Sequence, residues 1–239
     1  MKKQMIIISA ALISGWVVFS SCNNSGAATN LQEPVAMDSE NAITSNANMS
    51  GSPADANTKT TEDLLAAFKG ETTASAKYAA CSKKAEQEGY HQIALLFKAA
   101  STAEKIHANN HKAVLEDGGA KVNPVTPEFT VQSTKENLQD AIKGETYEAA
   151  TMYPEFLKDA EASGNQLALM SLNYAFKTEK KHRVMYENAL AALGNNTVKT
   201  LSSVYYVCPT CGNTYDTAPS KRCGICMTGS EKFIKIAGL

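Results

Sequence analysis

The chain has 239 residues, with 23 Lys and Arg against 24 Asp and Glu and a net charge of −1. That length has room for one medium domain and a small one, and so balanced a charge excludes nucleic acid as the main partner, because phosphate binding needs a basic face. Aromatic residues are only 7% of the chain and Ala is frequent, a composition that leans toward helices.

Residues 1–22 read as a signal segment and not as part of the fold. A short basic start, Met1-Lys2-Lys3, precedes an apolar run from Ile6 to Phe19 that is too short for a comfortable membrane span. Ser20 and Ser21 then precede Cys22, an arrangement that resembles a bacterial lipoprotein signal with Cys22 as the lipidated first residue; Phe19 departs from the usual Leu. The expected location is therefore the cell envelope, exported and membrane-anchored. Residues 23–59 are rich in Asn, Ser, Ala and Thr with no hydrophobic period. They read as a flexible tether with a mean reach of about 30–37 Å.

From residue 60 to 196 the pattern becomes helical. Inward-type residues recur at alternating steps of three and four in four segments: Leu64, Phe68, Glu71, Ser75, Tyr78; Ile93, Phe97, Ala100, Glu104, His107, His111; Leu138, Ala141, Glu145, Glu148, Met152; and Leu172, Ala175, Glu179, His182, Tyr186. Gly89 and Ser163-Gly164-Asn165 mark tight turns, whereas residues 117–134 form a long connection with Gly118, Gly119, Pro124 and Pro127. This predicts two helical hairpins joined by one long crossover, a ferritin-like four-helix bundle. Ser133 and Glu136 read as a capping box opening the third helix.

Each apolar stripe carries carboxylates or imidazoles near its middle. A carboxylate in a dry core costs several kcal/mol unless it is paired or bound to metal. Four helices breaking that rule at one level point to one shared site. An internal repeat strengthens the inference. Phe68-Lys69-Gly70-Glu71-Thr72 is echoed by Ile142-Lys143-Gly144-Glu145-Thr146, and Glu104-Lys105-Ile106-His107 by Glu179-Lys180-Lys181-His182. Tyr78 follows Glu71 by seven residues, and Tyr153 follows Glu145 by eight. The two hairpins should then be related by a pseudo-two-fold axis, with two equivalent metals at it. Gly70 and Gly144, each beside a candidate ligand, suggest close helix approach there. Glu-x-x-His places a carboxylate and an imidazole one turn apart on a helix face. Two such elements plus single Glu residues are the donor set of di-iron carboxylate bundles. Oxygen-rich donors with few nitrogens suit iron or manganese, with zinc as the alternative. His111 reads as an alternative ligand, as a donor that orients the ligands, or as a core histidine satisfied locally. His91 reads as exposed, and Cys81 as a small buried apolar residue.

Residues 203–239 hold Cys208-Pro-Thr-Cys211 and Cys223-Gly-Ile-Cys226, separated by eleven residues. Four thiolates at this spacing form a tetrahedral site for iron or zinc. Val204–Val207 and Phe233-Ile234 flank them as short strands, and metal is expected to fold so small a unit.

Taken together, these residues resemble the rubrerythrin family over about 60–239. The resemblance implies a di-iron site held by Glu71, Glu104, His107, Glu145, Glu148, Glu179 and His182, with Glu104 and Glu179 bridging, and Tyr78 and Tyr153 as catalytic tyrosines near the irons. It implies a rubredoxin-like domain with one iron, alternatively zinc, on Cys208, Cys211, Cys223 and Cys226. The implied activity is reduction of hydrogen peroxide to water, with electrons relayed through the four-cysteine centre; the alternative is an iron-binding or ferroxidase-type protein with a structural zinc knuckle. A head-to-tail homodimer, in which that centre serves the neighbour's di-iron site, and a separate redox donor protein are further implications. Gly224 stands where the family usually has Pro, and Met227 where it usually has Gly.

Overall fold

The computed structural model describes residues 52–239. The expected signal segment, Cys22 and most of the expected tether lie outside the described residues. Among the described residues there are five α-helices: α1 Pro53–Gln87, α2 His91–Asp117, α3 Thr134–Tyr147, α4 Tyr153–Ser163 and α5 Gln166–Gly194. A π-helical turn, Glu148–Met152, joins α3 to α4 without a break, so the two form the third rod of a four-rod bundle. α1 packs chiefly on α2, and α3 and α4 on α5, which gives the two expected hairpins. Among the described residues no helix is long and apolar enough to cross a membrane.

The first helix begins at Pro53, seven residues before the start read from periodicity. Ser52 and Asp55 cap each other reciprocally there, and Pro53 occupies the first helical position, where its missing N–H is no loss. The first two turns of α1 are polar, so periodicity could not find them. The Ser133–Glu136 capping box opens α3 as expected. Gly89 and Gly164 adopt left-handed φ values of 84° and 70° at the two hairpin turns. Residues 120–133 cross the bundle without regular structure.

The π turn accounts for the unequal spacing of the repeat. One extra residue in a helix is accommodated as a π-bulge. Tyr153 can therefore follow Glu145 by eight positions and still stand where Tyr78 stands after Glu71. The expectation about Gly70 and Gly144 fails. A Cβ at either position meets no neighbouring atom within 4 Å, so no close helix approach requires these glycines.

Two apolar clusters fill the bundle. One contains Tyr78, Cys81, Phe97, Leu138 and Tyr186; the other contains Leu64, Leu115, Tyr153, Ala168 and Leu172. Along each rod the acidic and imidazole residues fall between the two, so a polar layer is sealed above and below by hydrocarbon. Cys81 is buried as expected, and burial pushes its thiol up to about 11. His91 is exposed at the start of α2, within 2.9 Å of Glu86.

The C-terminal segment forms a three-stranded antiparallel sheet in the order β2-β1-β3, with β1 Tyr205–Val207, β2 Thr214–Tyr215 and β3 Ile234–Ile236. Tyr205, Val207 and Ile236 join the same cluster as Ile93, Ala99 and Ala103 of α2, so the sheet is packed onto the bundle by a shared core.

Candidate metal centres

The polar layer resolves into two overlapping quartets. Glu71, Glu104, His107 and Glu179 bring one donor atom each to within 4.8 Å of one another, and so do Glu104, Glu145, Glu179 and His182. Glu104 and Glu179 belong to both. Their oxygens divide evenly between the histidines. His107 Nδ1 lies 2.9 Å from Glu104 Oε2 and 2.9 Å from Glu179 Oε1. His182 Nδ1 lies 3.0 Å from Glu104 Oε1 and 2.9 Å from Glu179 Oε2. Two carboxylates, each offering one oxygen to each side, make the arrangement of a bridged pair. Glu71 and Glu145 each serve one side, 3.6 Å from His107 Nδ1 and 3.9 Å from His182 Nδ1.

Tyrosines complete the pseudo-symmetry. Tyr78, from the first hairpin, donates to Glu145 Oε1 at 2.7 Å, and Tyr153, from the second, donates to Glu71 Oε1. Each hairpin thus fixes the terminal carboxylate of the other. The remaining oxygens have no tyrosine: Glu71 Oε2 and Glu145 Oε2 are buried without a hydrogen bond, and Glu104 Oε1 and Glu179 Oε1 face only the imidazole Nδ1 atoms. Four carboxylates so placed in a dry core are untenable as bare anions. Two divalent cations would balance their four charges and use these oxygens as ligands.

The ionisation of the polypeptide alone shows the same frustration. Burial, reinforced by Glu104 and Glu179, holds the Glu71 carboxyl well above the usual range. Burial and Glu179 do the same to Glu145 and Glu148. Burial would lower both imidazoles, but the adjacent carboxylates overcome it, keeping His107 well above its ordinary value and His182 at about 9. Burial would likewise raise Glu104, but His182 and His107 hold it at about 2.

Glu148, the seventh expected ligand, lies on the π turn, half-buried and outside both quartets. It stands close enough to Glu179 and Glu104 for their charges to raise its carboxyl further. His111 is also outside both quartets.

The four cysteines come together as a third group, with Cys208 Sγ and Cys226 Sγ 3.4 Å apart and Cys211 Sγ and Cys223 Sγ 3.5 Å apart. The two departures from the family pattern have visible consequences. Gly224 N–H donates to the Tyr215 hydroxyl at 2.9 Å, a bond that Pro could not make, and that hydroxyl lies 3.6 Å from Cys223 Sγ. Met227 takes a left-handed φ of 63°, the conformation glycine favours.

Sequence reasoning did not find the residues that join the two sites. His107 Nε2–H donates to the Cys211 carbonyl at 3.1 Å, and His182 Nε2 lies 2.9 Å from Thr214 Oγ1. The Cys211 carbonyl can only accept, so His107 Nε2–H is the donor there, and Nδ1 is the ring atom that faces the carboxylates and would bind a metal once deprotonated. Gly212 makes this approach possible: a Cβ there would stand 2.3 Å from His107 Nε2. Asn110 Nδ2 to the Thr210 carbonyl at 2.9 Å and Lys181 Nζ to Asn213 Oδ1 at 2.7 Å flank the contact. The family resemblance implies a knuckle serving a neighbouring subunit. In the single chain described, the knuckle lies on its own histidines. Residues 195–204 permit this: the twelve residues of α5 beyond His182 span about 18 Å, and ten linking residues reach back up to about 33 Å.

A four-rod bundle with two carboxylate-bridged quartets, followed by a four-cysteine knuckle, defines the class of ferritin-like dimetal proteins with a rubredoxin-like domain. The sequence model of the rubrerythrin family matches residues 62–190, and the chain belongs to that family. It is 33% identical to rubrerythrin-2 of Clostridium acetobutylicum over 178 residues, covering 74% of this chain and 96% of that protein. It is 36% identical to nigerythrin of Nitratidesulfovibrio vulgaris over 177 residues, covering 73% and 85%. The structure of nigerythrin in its fully reduced, all-ferrous state superposes with a TM-score of 0.67 at 31% identity, covering 82% of this chain and 92% of that one. A Desulfovibrio desulfuricans bacterioferritin, at 20% identity and a TM-score of 0.57, shares the fold.

Proposed function

We propose that the chain is a non-haem di-iron peroxidase that reduces hydrogen peroxide to water, with electrons returned through an iron held by Cys208, Cys211, Cys223 and Cys226. The observation that carries this reading is the direct hydrogen bond from His107 Nε2 to the Cys211 carbonyl, 3.1 Å long. It joins a cysteine of one centre to a metal-facing imidazole of the other through a few covalent bonds and one hydrogen bond. Iron, as opposed to another divalent metal, is proposed on the donor set and on the likeness to a nigerythrin described as all ferrous. When bound, a ferrous pair supplies the two electrons consumed in H2O2 + 2 H+ + 2 e− → 2 H2O, and the cysteine-held iron passes their replacements singly.

The polypeptide contributes the rest. Glu104 and Glu179 are set to bridge, while Glu71, Glu145 and the two Nδ1 atoms are set to cap each side. Tyr78 and Tyr153 pin one oxygen of each terminal carboxylate. The Cys211 carbonyl and Thr214 hydroxyl fix the orientation of the two imidazoles, a role whose loss typically costs 10–100-fold in metal affinity or activity. The apolar clusters on either side limit bulk water.

Anaerobically reduced protein mixed with peroxide in a stopped-flow cell should oxidise rapidly, consume one peroxide per bundle site, and turn over when a reductant feeds the cysteine centre. About three irons per chain should accompany that activity. Single-turnover iron oxidation with zinc on the cysteines would support the ferroxidase-type alternative instead. The proposed assembly is a homodimer, checked by light scattering. Export with lipidation at Cys22 makes a membrane-side redox protein the proposed donor; Cys22→Ser should release the chain from the membrane fraction.

A further inference from the structure

Behind Tyr153 lies a run of buried polar groups that the proposed reaction has not used. His111 of α2 is fully buried, and its Nε2 stands 3.2 Å from the Tyr153 hydroxyl. On the other side of the ring, Nδ1 stands 2.8 Å from Ser171 Oγ on α5. Ser171 is buried but lines a surface cleft between α2 and α5, with Asn110, Val114, Leu167, Met170 and Tyr174 around it. Leu167 and Met170 are exposed at its rim.

The direction of the hydrogen bonds follows from the inner end. Tyr153 gives its proton to Glu71 Oε1, so its oxygen is the acceptor for His111 Nε2–H. Nδ1 is then an acceptor and takes the Ser171 hydroxyl proton. Every donor points inward, from the cleft to Glu71. Burial, with His107 nearby, holds His111 down at about 3, so the ring is neutral at rest. A neutral imidazole can take a proton at one nitrogen while giving one from the other.

The repeat supplies an internal control. His111 follows Glu104 by seven residues, and Tyr186 follows Glu179 by seven. Tyr186 packs edge-on against Tyr78 with ring centroids 5.5 Å apart, but its hydroxyl has no hydrogen-bond partner. On that side the tyrosine backs onto Phe97 and hydrocarbon. Holding a terminal carboxylate therefore needs only a tyrosine. His111 and Ser171 are additional, and they exist on one side alone.

We propose that Ser171, His111 and Tyr153 form a proton relay from the α2–α5 cleft to Glu71, supplying the protons that peroxide reduction consumes; the relay's purpose rests on that reaction. A hydronium ion in the cleft protonates Ser171 as the Ser171 proton moves to His111 Nδ1, the Nε2 proton moves to Tyr153, and the Tyr153 proton moves to Glu71. One proton enters at the cleft and one reaches Glu71, no electron moves, a water is left in the cleft, and His111 is left as its Nδ1–H tautomer.

Two measurements test the relay. In zinc-loaded, 15N-labelled protein, solvent exchange of the His111 Nε2 proton should slow by about tenfold or more in Ser171→Ala and stay within about twofold in Ser171→Thr. Amide exchange at Ala108 and Ala175 should not change, which excludes general loosening. In iron-loaded protein, His111→Gln keeps a donor toward Tyr153 and an acceptor toward Ser171 but cannot pass a proton. Its peroxide step should slow by about tenfold or more, with an enlarged solvent deuterium isotope effect. An unchanged result in either measurement overturns the relay. A wild-type protein inert to peroxide would overturn the proposed reaction instead, leaving the zinc-loaded exchange measurement to decide the relay.

Discussion

Replacing Gly212 by Ala should break the link between the two centres. Gly212 sits at φ 75°, and an added Cβ would stand 2.3 Å from His107 Nε2, 2.7 Å from His107 Cδ2 and 3.2 Å from the Ala103 carbonyl. Ordinary contact begins near 3.5 Å, so the knuckle or the imidazole must move by about 1 Å. The 3.1 Å bond from His107 Nε2 to the Cys211 carbonyl would then open to about 4 Å, beyond hydrogen-bonding range. The left-handed conformation costs about 1–2 kcal/mol with a Cβ present, and the lost bond about 0.5–1.5 kcal/mol. Together they predict a loss of about 2–3 kcal/mol in denaturant unfolding of the zinc-loaded protein. Metal affinity at the His107 quartet should fall by about 10–100-fold, because the imidazole loses the partner that orients it. Titration calorimetry reads the affinity, and the four-thiolate absorption verifies that the knuckle still holds its metal. Gly89→Ala is the control: its φ is 84° but a Cβ there meets nothing within 4 Å, so only the conformational cost of about 1–2 kcal/mol applies. If Gly212→Ala matches Gly89→Ala in stability and binds metal like the wild type, the contact does not orient His107.

Three further outcomes are expected. Met227 is 60% exposed and left-handed, so Met227→Gly should raise the free energy of unfolding in a denaturant titration by about 0.5–1 kcal/mol, the relief of strain less the added unfolded-state entropy. Gly70→Ala and Gly144→Ala should each stabilise the zinc-loaded protein by about 1 kcal/mol without changing metal content, since both positions are helical and open. His111 has a folded value of about 3 against an ordinary 6.5, so the unfolded chain binds the extra proton between those limits. Its contribution is complete above pH 6.5 and is lost on acidification at up to about 1.4 kcal/mol per pH unit; His111→Gln should lack that slope, which should appear as the pH-dependent difference between the two urea-unfolding stabilities.

Much of the bundle site was legible because its logic is local. Glu104 and His107 lie one turn apart, as do Glu179 and His182, and helix geometry alone puts each pair on one face. The repeat then implied a matched partner for every element. The π turn at Glu148–Met152 was not legible, because the three-four spacing presumes an α-helix. The only trace in the sequence was the step from seven to eight residues before Tyr153. The start of α1 was missed because its first turns lack an apolar stripe, although Ser52-Pro53-Ala54-Asp55 carries both the cap and the favoured proline. Gly70 and Gly144 were misjudged because a glycine beside a ligand does not reveal whether anything faces it.

By itself the sequence determined that four helices would carry seven acidic and imidazole residues to one level, and that four cysteines would make a second centre. Periodicity and short-range spacing encode both, and a dry core permits such charges only in company. The tertiary structure decided which oxygen faces which imidazole, that Cys211 and Thr214 reach His107 and His182, and that Ser171 stands behind His111. These are contacts between residues 32 to 104 positions apart. No local pattern specifies them, because they depend on how the rods pack and on where the knuckle comes to rest.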